Sequence, residues 1–507
     1  MELLDNLWLG LQVASEPGTL AYCFFGVFLG TLVGVLPGIG ALAAISLLLP
    51  ITYHIPPTAA IIMLAGVYYG AQYGGSTAAI LLNLPGTPSS AVTCLDGYPM
   101  ARKGRSGLAL FVTTIASLVG AMSGLILLVL FSPMIAEVGL KFGPAEFFSM
   151  MILGLVAASS MSGGSAAKGL AMVVFGILLG MVGTDVNTGV ARYSFDIPEL
   201  MDGINLVALA MGLFGVAEVV RCINSTDTEK QPEKITMRSM VPTRQEMKET
   251  VKPMMRGSAL GAALGALPGV GPSIAAFMSY AVEKRVAKDP SRFGQGAIEG
   301  ISAPESANNA AAQTAFVPSL SLGIPGDAVM AVMLGALIIH GINPGPMLMT
   351  EQPELFWGLI VSFAIGNIML VLLNIPTIGL WVALLRIPFS WMYPAILVFV
   401  ALGVYSVNNN TFDIYMVSLL GIVGYALMVL RFEPAPLLLG YILGPMVEEH
   451  LRRAMLLSRG DPSVFVTRPI SATLLALAAA LLAWAVWGTM KKTLKAREAL
   501  RLAGARA

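Results

Sequence analysis

Two stretches of this chain set hydroxyls, amides and Pro-Gly turns inside otherwise apolar sequence. Residues 73–90, YGGSTAAILLNLPGTPSS, carry Ser76, Thr77, Asn83, Thr87, Ser89 and Ser90. Residues 305–327, ESANNAAAQTAFVPSLSLGIPGD, carry Ser306, Asn308, Asn309, Thr314, Ser319 and Ser321, bracketed by Glu305 and Asp327. Proline removes a hydrogen bond from a helix and glycine loosens the backbone. Lipid offers no replacement partner, so such breaks stand only inside protein or beside a wet cavity. A broken helix presents free N–H groups at one end, suited to an anion, and free C=O groups at the other, suited to a cation. A hard cation such as Na⁺ takes carbonyl, hydroxyl and amide oxygens. A lone Pro-Gly would read as a kink between packed helices. Two polar hairpin-like segments favour re-entrant binding hairpins.

Other chemistries find less support. A nucleotide-driven pump needs a P-loop, and the chain has no Gly-Lys dipeptide. Neither GxSxG nor paired metal ligands nor an acid–base dyad accompanies the serines, so no enzyme is expected. His54, His340 and His450 fit no HExxH pattern, and Cys23, Cys94 and Cys222 form neither a disulfide framework nor metal-type spacing. The formal net charge is +1, with Lys and Arg in a few loops rather than a stripe, so no nucleic-acid partner is expected.

The elements that position these groups must be membrane helices. The 507 residues are 56% hydrophobic and only 12% charged, with a mean hydropathy of +0.78; soluble domains carry about 25% charged residues. Residues 107–131, 355–385, 413–430 and 470–489 are each long enough for a bilayer crossing, which takes roughly 20 apolar residues. Segment 434–446 is short for one. The expectation is an all-α polytopic membrane protein. Leu3, Leu4, Leu7, Trp8 and Leu11 share a helical face, which predicts an interfacial helix over 1–17; no signal peptide is read there.

The halves repeat. Residues 34–40 read GVLPGIG and 265–271 read GALPGVG, followed by NLPG at 83–86 and GIPG at 323–326. After the LPG motif the first copy has ITYHIPP without Lys or Arg, whereas the second has EKRVAKDPSR. After the second Pro-Gly the bias reverses, with YPMARKGRSG in the first copy and the Lys/Arg-free HGINPGPMLMTEQPE in the second. Two coordinated reversals predict repeats of inverted topology. The organisation expected is a first membrane repeat over 18–223, a polar cytoplasmic linker over 224–256, a second repeat over 257–469, a transmembrane helix over 470–490 and a basic cytoplasmic tail over 491–507. Residues 184–202, with Asp185, Asp196, Glu199 and Asp202 against Arg192 alone, suit the outer side.

These motifs, in this order, resemble the large membrane subunit of the tripartite tricarboxylate transporters, the TctA family. The resemblance runs from about Gly26 to about Asp461. It rests on GVLPGIG, YYGAQYGGSTAAILLNLPGTPSSAVTCLDGYPMARKG, PESANNAAAQTAFVPSLSLGIPGDAVMAVMLGALIIHGINPGP and EEHLRRAMLLSRGD. It implies a multi-pass secondary transporter of the bacterial inner membrane, importing tri- or dicarboxylates with Na⁺ or H⁺ as coupling ion and no other cofactor. The implied partners are a small four-span membrane subunit and a periplasmic solute-binding protein, in a complex that dimerises and works by an elevator motion. Carried over by motif, Asn83, Pro85, Gly86, Thr87, Ser89, Ser321, Pro325, Gly326 and Asp327 face the carboxylate. Asp327 carries a charge that would repel it unless neutralised, and it is also a good helix cap. Gly38, Gly40, Ser76, Thr77, Gly269, Gly271, Asn308 and Asn309 are the candidate cation ligands. Glu305 reads equally as a membrane-embedded functional group and as a loop-exposed helix start. A bulky residue at Gly86 or Gly326 is expected to stop uptake without loss of expression. The alternative is a channel or uncoupled carrier for small anions; a carrier saturates and counter-exchanges.

Overall fold

The computed structural model describes residues 2–36, 40–139, 141–160, 166–185, 189–223, 235, 237–267, 270–384 and 389–504. They are mostly helical. In chain order the principal helices of the first half are α1 (Glu2–Ala14), α2 (Pro17–Val35), α3 (Gly40–Thr52), α4 (Pro57–Leu82), α5 (Thr93–Arg102), α6 (Ser106–Gly139), α7 (Pro144–Ser160) and α8 (Ala166–Gly180). A small antiparallel hairpin follows, with β1 (Gly183–Thr184) beside β2 (Ala191–Arg192). Then come α9 (Arg244–Gly265), α10 (Gly271–Val286), α11 (Glu299–Thr314), α12 (Phe316–Leu322), α13 (Ala328–Ile339), α14 (Pro353–Asn374), α15 (Ile378–Leu384), α16 (Phe389–Asn408), α17 (Thr411–Val429), α18 (Ala435–Leu457) and α19 (Pro469–Gly504). Among the described residues, four helices are long and apolar enough to cross a membrane: Pro17–Val35, Ser106–Phe131, Pro353–Asn374 and Thr411–Val429.

The chain divides into two compact units. The first, Met1–Leu140 with Asn205–Tyr425, holds both Pro-Gly segments, and its architecture occurs twice. Gly26, Gly30 and Gly34 on α2 face the backbone of Met63, Val67 and Ala71 on α4, so closely that a Cβ on any of the three would overlap the opposing carbonyl oxygen. Gly257, Gly261 and Gly265 on α9 meet Ala303, Ala307 and Ala311 on α11 in the same way. Helices in lipid associate by such close van der Waals contact, because the solvent supplies no hydrophobic drive. Each glycine stripe ends three residues before its LPG proline. One constant spacing separates Met63 from Ala303, Val67 from Ala307, Ala71 from Ala311, Asn83 from Gly323 and Gly86 from Gly326. The repeat read from short motifs thus extends over whole helix pairs.

The copies are also tied to each other. Asp96 on α5 is fully buried; its Oδ1 accepts from the backbone N–H of Gly294, Gly296 and Ala297 at 2.9, 2.7 and 2.8 Å. Its Oδ2 accepts from the Tyr280 hydroxyl at 2.9 Å. The turn leading into α11 is thereby fixed to the helix that follows the first Pro-Gly. An aromatic cluster adds packing, with Phe316 and Phe363 ring centroids 4.6 Å apart and Tyr69 5.8 Å from Phe363.

One apolar stretch is broken, and two polar stretches carry helix. Residues 355–385 do not form one span: α14 ends at Asn374 and α15 begins at Ile378, because Pro376 lacks an N–H and disfavours helical geometry in the residue before it. Of the polar segment 224–256, the part from Arg244 on is helical in α9; Thr243 opens it with a capping box in which Thr243 N donates to Glu246 Oε2 at 2.7 Å. Residues 224–234 and 236 lie outside the described residues. In the basic tail, α19 continues helical to Gly504. At the N-terminus, Gly10 of α1 lies against the Trp357 backbone, while Leu4, Trp8 and Leu11 are exposed.

The second unit, Lys141–Ile204 with Ala426–Ala507, joins α7, α8, α18 and α19. Gly176 and Gly180 of α8 meet the backbone of Leu437 and Tyr441 on α18. The Phe147 ring stacks on His450 with centroids 5.0 Å apart, and Glu146 pairs with Arg468 at 2.6 Å. At the β hairpin, Arg192 grips Glu448 with two hydrogen bonds of 2.9 and 3.0 Å and reaches Asp185 at 2.5 Å. Arg452 bridges the same carboxylates at 3.2 and 2.5 Å. The Arg192 fork holds the Glu448 carboxyl below the usual range.

Candidate functional site

Tyr68, Gln72 and Ser76 recur every fourth residue on α4, so they share one face at intervals of about 6 Å. Each engages a different polar element of the first unit. The Tyr68 hydroxyl donates to Asp327 Oδ2 at 2.5 Å. Gln72 Oε1 accepts from Ser89 Oγ at 2.6 Å and from Thr87 Oγ1 at 3.3 Å. Ser76 Oγ donates to Glu305 Oε1 at 2.6 Å. One helix face therefore reaches both Pro-Gly tips and a buried carboxylate.

At the first tip, Asn83 ends α4 in a left-handed conformation, with φ of 59°. Asn83 and Pro85 are exposed, whereas Gly86, Thr87 and Ser89 are buried. Thr87 begins the short turn Pro88–Ala91, and its side chain, 3.0 Å from Ser89 Oγ, is turned toward α4 with that serine. A Cβ on Gly40, itself at φ +68°, would stand 4.0 Å from the Gly86 carbonyl oxygen. The second tip matches it. Gly323 ends α12 in the left-handed region, with φ of 66°. Pro325 and Gly326 are buried, and Gly326 N donates to Ser319 Oγ at 3.3 Å. A Cβ on Gly271, at φ +65°, would stand 2.9 Å from Asp327 Cβ. In both copies, then, the glycine two residues past the LPG triplet lies at its own Pro-Gly tip. Gly38 and Gly269 lie outside the described residues. Ser321 Oγ bonds Val317 O within its own helix.

Asp327 is an N-cap: Oδ1 accepts from Met330 N at 2.8 Å while Oδ2 takes the Tyr68 hydroxyl. An amide caps as well as a carboxylate, and loss of a cap costs about 1 kcal/mol. Thermal unfolding should therefore place Asp327→Asn, whose single oxygen keeps the cap but leaves the buried Tyr68 hydroxyl without its acceptor, about 1–3 kcal/mol below the parent, and Asp327→Ala about 1 kcal/mol lower again. Equal losses in the two variants would deny the capping role.

Glu305 is not a loop-exposed helix start. It lies in the second turn of α11 with 1% of its surface exposed, because α4, α5 and α6 close around that face. Its Oε1 also accepts from Thr93 Oγ1 at 2.7 Å, and Oε2 from Ser117 Oγ at 3.3 Å. Asn309 Nδ2 donates to Ser117 Oγ at 2.8 Å and to the Glu305 carbonyl at 3.0 Å. Further along α11, the side-chain oxygens of Asn308, Asn309 and Gln313 are buried with no hydrogen-bond partner among the described residues. Thr77 is buried next to Ser76. The candidate cation ligands thus divide: Ser76 and Asn309 gather at Glu305, while Gly40 and Gly271 stand at the tips. Neither Glu305 nor Asp327 has an ion pair among the described residues. A carboxylate buried without a counter-charge is costly unless hydrogen bonds, a proton or a cation compensate it.

Sequence reasoning missed Tyr68, Gln72, Thr93 and Ser117. The four-residue spacing of Tyr68, Gln72 and Ser76 was the available signal for the first two. Thr93 and Ser117 are isolated hydroxyls whose role exists only in three dimensions.

Residues 20–439 match the family model of the tripartite tricarboxylate transporter TctA family. An uncharacterized 52.8 kDa protein in the TAR-I ttuC' 3' region of Agrobacterium vitis is 52% identical over 477 residues, covering 94% of this chain and 95% of that protein. A second Agrobacterium vitis protein, from the TAR-II ttuC' 3' region, is 59% identical over 204 residues, 40% of this chain and 84% of its own length. No solved structure matches. A family match across nearly the whole helical core, with both Pro-Gly tips inside it, identifies the chain as a member of the tripartite tricarboxylate transporter TctA family, a multi-pass membrane transporter component that works with partner subunits and is not an enzyme.

Proposed function

We propose that the chain is the carrier subunit of a cation-coupled importer of tri- or dicarboxylates in the bacterial inner membrane, with its C-terminus in the cytoplasm. The observation that carries this reading is the single α4 face joining both Pro-Gly tips to the buried Glu305. The tips offer turn backbone to the carboxylate, as broken helices do in membrane carriers. The coupling ion, Na⁺ or H⁺, belongs at Glu305. Ser76, Thr93 and Ser117 supply hydroxyl oxygens there, and the unpartnered oxygens of Asn309 and Gln313 extend the site along α11. An ion at that place offsets the negative charge that accompanies the substrate.

Asp96 and Glu305 bind the two copies together, so both tips travel as one body. That suits an elevator-type alternating access with the two repeats in inverted topology. Delivery by a periplasmic binding protein, a small four-span subunit and dimerisation of the complex complete the reading.

Labelled carboxylate uptake into proteoliposomes holding the complex, under imposed Na⁺ or pH gradients, tests it. Uptake should saturate, counter-exchange and accumulate substrate with one of the two gradients. Asn309→Ala should weaken that ion dependence while the protein still inserts. Flux that neither saturates nor counter-exchanges would make the chain a channel.

A further inference from the structure

The strap that follows β2 in the second unit is rigidly held yet shows an apolar and acidic surface. Arg192 and Arg452 clamp its base to Glu448 and Asp185. Thr184 N donates to Met201 O at 2.8 Å, and the Tyr441 hydroxyl bonds Ile204 O. Within this frame Tyr193, Phe195 and Asp196 hold left-handed backbone, with φ of 51°, 52° and 59°. Aromatic residues keep that conformation only where the surroundings impose it, and such outliers collect at binding and switch surfaces. Phe195 is 79% exposed, Tyr193 53% and Met201 46%. Asp196, Glu199 and Asp202 are exposed beside them, and none has an ion pair among the described residues.

The second unit also fixes which side the strap is on relative to the tail. Glu448, which holds Arg192, is one helical turn or less from His450, on which Phe147 stacks. Glu146 beside it pairs with Arg468, immediately before α19. The strap therefore stands at the starting end of α19, and the basic run KKTLKAR at 491–497 lies at the other end, about 30 Å away at 1.5 Å per residue. With 470–490 crossing the membrane as its sequence predicts, a cytoplasmic tail puts the strap outside.

We infer that residues 193–202 are the docking site for the soluble partner that delivers substrate, and that this partner presents an apolar patch rimmed by Lys and Arg. The inference rests on the carrier reading above. Aromatic anchors within a charged rim are the anatomy of a protein interface, whereas three unpaired carboxylates oppose attachment to anionic lipid. The acidic rim steers association, so binding weakens with salt.

The test uses proteoliposomes containing the chain with its small membrane subunit, with the binding protein titrated at saturating labelled carboxylate. One variant carries Tyr193→Asn and Phe195→Asn, since asparagine tolerates left-handed backbone. A second carries Asp196→Asn, Glu199→Gln and Asp202→Asn. Each should raise the half-saturating concentration of binding protein about tenfold with maximal uptake unchanged, and the second should flatten the salt dependence. Unchanged half-saturation in both variants overturns the docking site while the carrier reading stands. A parent chain whose uptake ignores the binding protein overturns both.

Discussion

Glu305→Ala is expected to abolish concentrative uptake and to cost about 2–5 kcal/mol of stability, the range for a large-to-small substitution in a packed interior. The substitution leaves Ser76, Thr93 and Ser117 without their acceptor and opens a cavity among α4, α5, α6 and α11. Each stranded hydroxyl costs about 1–3 kcal/mol. Part of that is recovered when a hydroxyl turns to a carbonyl one turn back, as Ser76 already does toward Gln72 O at 3.3 Å. Glu305→Gln separates the two roles. Its amide fills the same volume, accepts from Ser76 and Thr93, and donates to Ser117, so unfolding should stay within about 1–2 kcal/mol of the parent. Only the charge is gone. Gradient-driven accumulation should therefore fail in a protein that still folds, measured as uptake beside thermal unfolding of the purified complex. A glutamine variant that accumulates substrate with the parent's ion dependence would remove Glu305 from coupling.

The second large effect is expected at the Pro-Gly tips, where alanine is already too big. A Cβ on Gly326 would stand 2.7 Å from Ala315 Cβ and 2.9 Å from its Cα. A Cβ on Gly86 would overlap the Gly34 carbonyl oxygen and stand 2.8 Å from Gly75 Cα. Overpacking of this kind costs about 1–3 kcal/mol and occasionally more. Both alanine variants should lose uptake and unfold earlier. This revises the expectation that larger residues there spare expression, because the tips are packed turns rather than open loops. The two sites differ in one respect that can be tested. Ala315→Gly removes the atom that Gly326→Ala meets first, so the double variant should recover part of the lost stability and uptake. Gly86 faces Gly75 and backbone, where nothing remains to trim, and the parallel rescue is unavailable. A double variant no better than Gly326→Ala alone would place the damage in the turn's conformation rather than in its packing.

The sequence carried the helices, the repeat and the two tips in forms that physics makes visible. Pro-Gly inside an apolar run has few uses, and a glycine every fourth residue marks a helix approached closely by another. The centre was less legible. ESANN at the head of an apolar-polar run looks the same on the surface as in a core, since α11 has small alanines on several sides. Its burial follows from α4, α5 and α6 arriving from the other half, a long-range fact with no local trace. The polar roles of Thr87 and Ser89 were visible by type but not by direction. They face Gln72 across a turn, and direction depends on the left-handed residue at Asn83. Pro376 was readable all along as a break within 355–385, and the length of the apolar run concealed it.

The partners of Glu305 have a consequence for how the chain is made. Ser117 and Glu305 are 188 residues apart, so at the usual 5–20 residues per second a ribosome releases the hydroxyls roughly 10–40 s before their acceptor. Until then Ser76, Thr93 and Ser117 sit in the bilayer with only local carbonyls to satisfy them, and the turn that Asp96 will hold does not yet exist. The first half is thus an unfinished assembly that the second half closes. A chain truncated at the seam exposes those polar groups to whatever surveys the membrane for orphans.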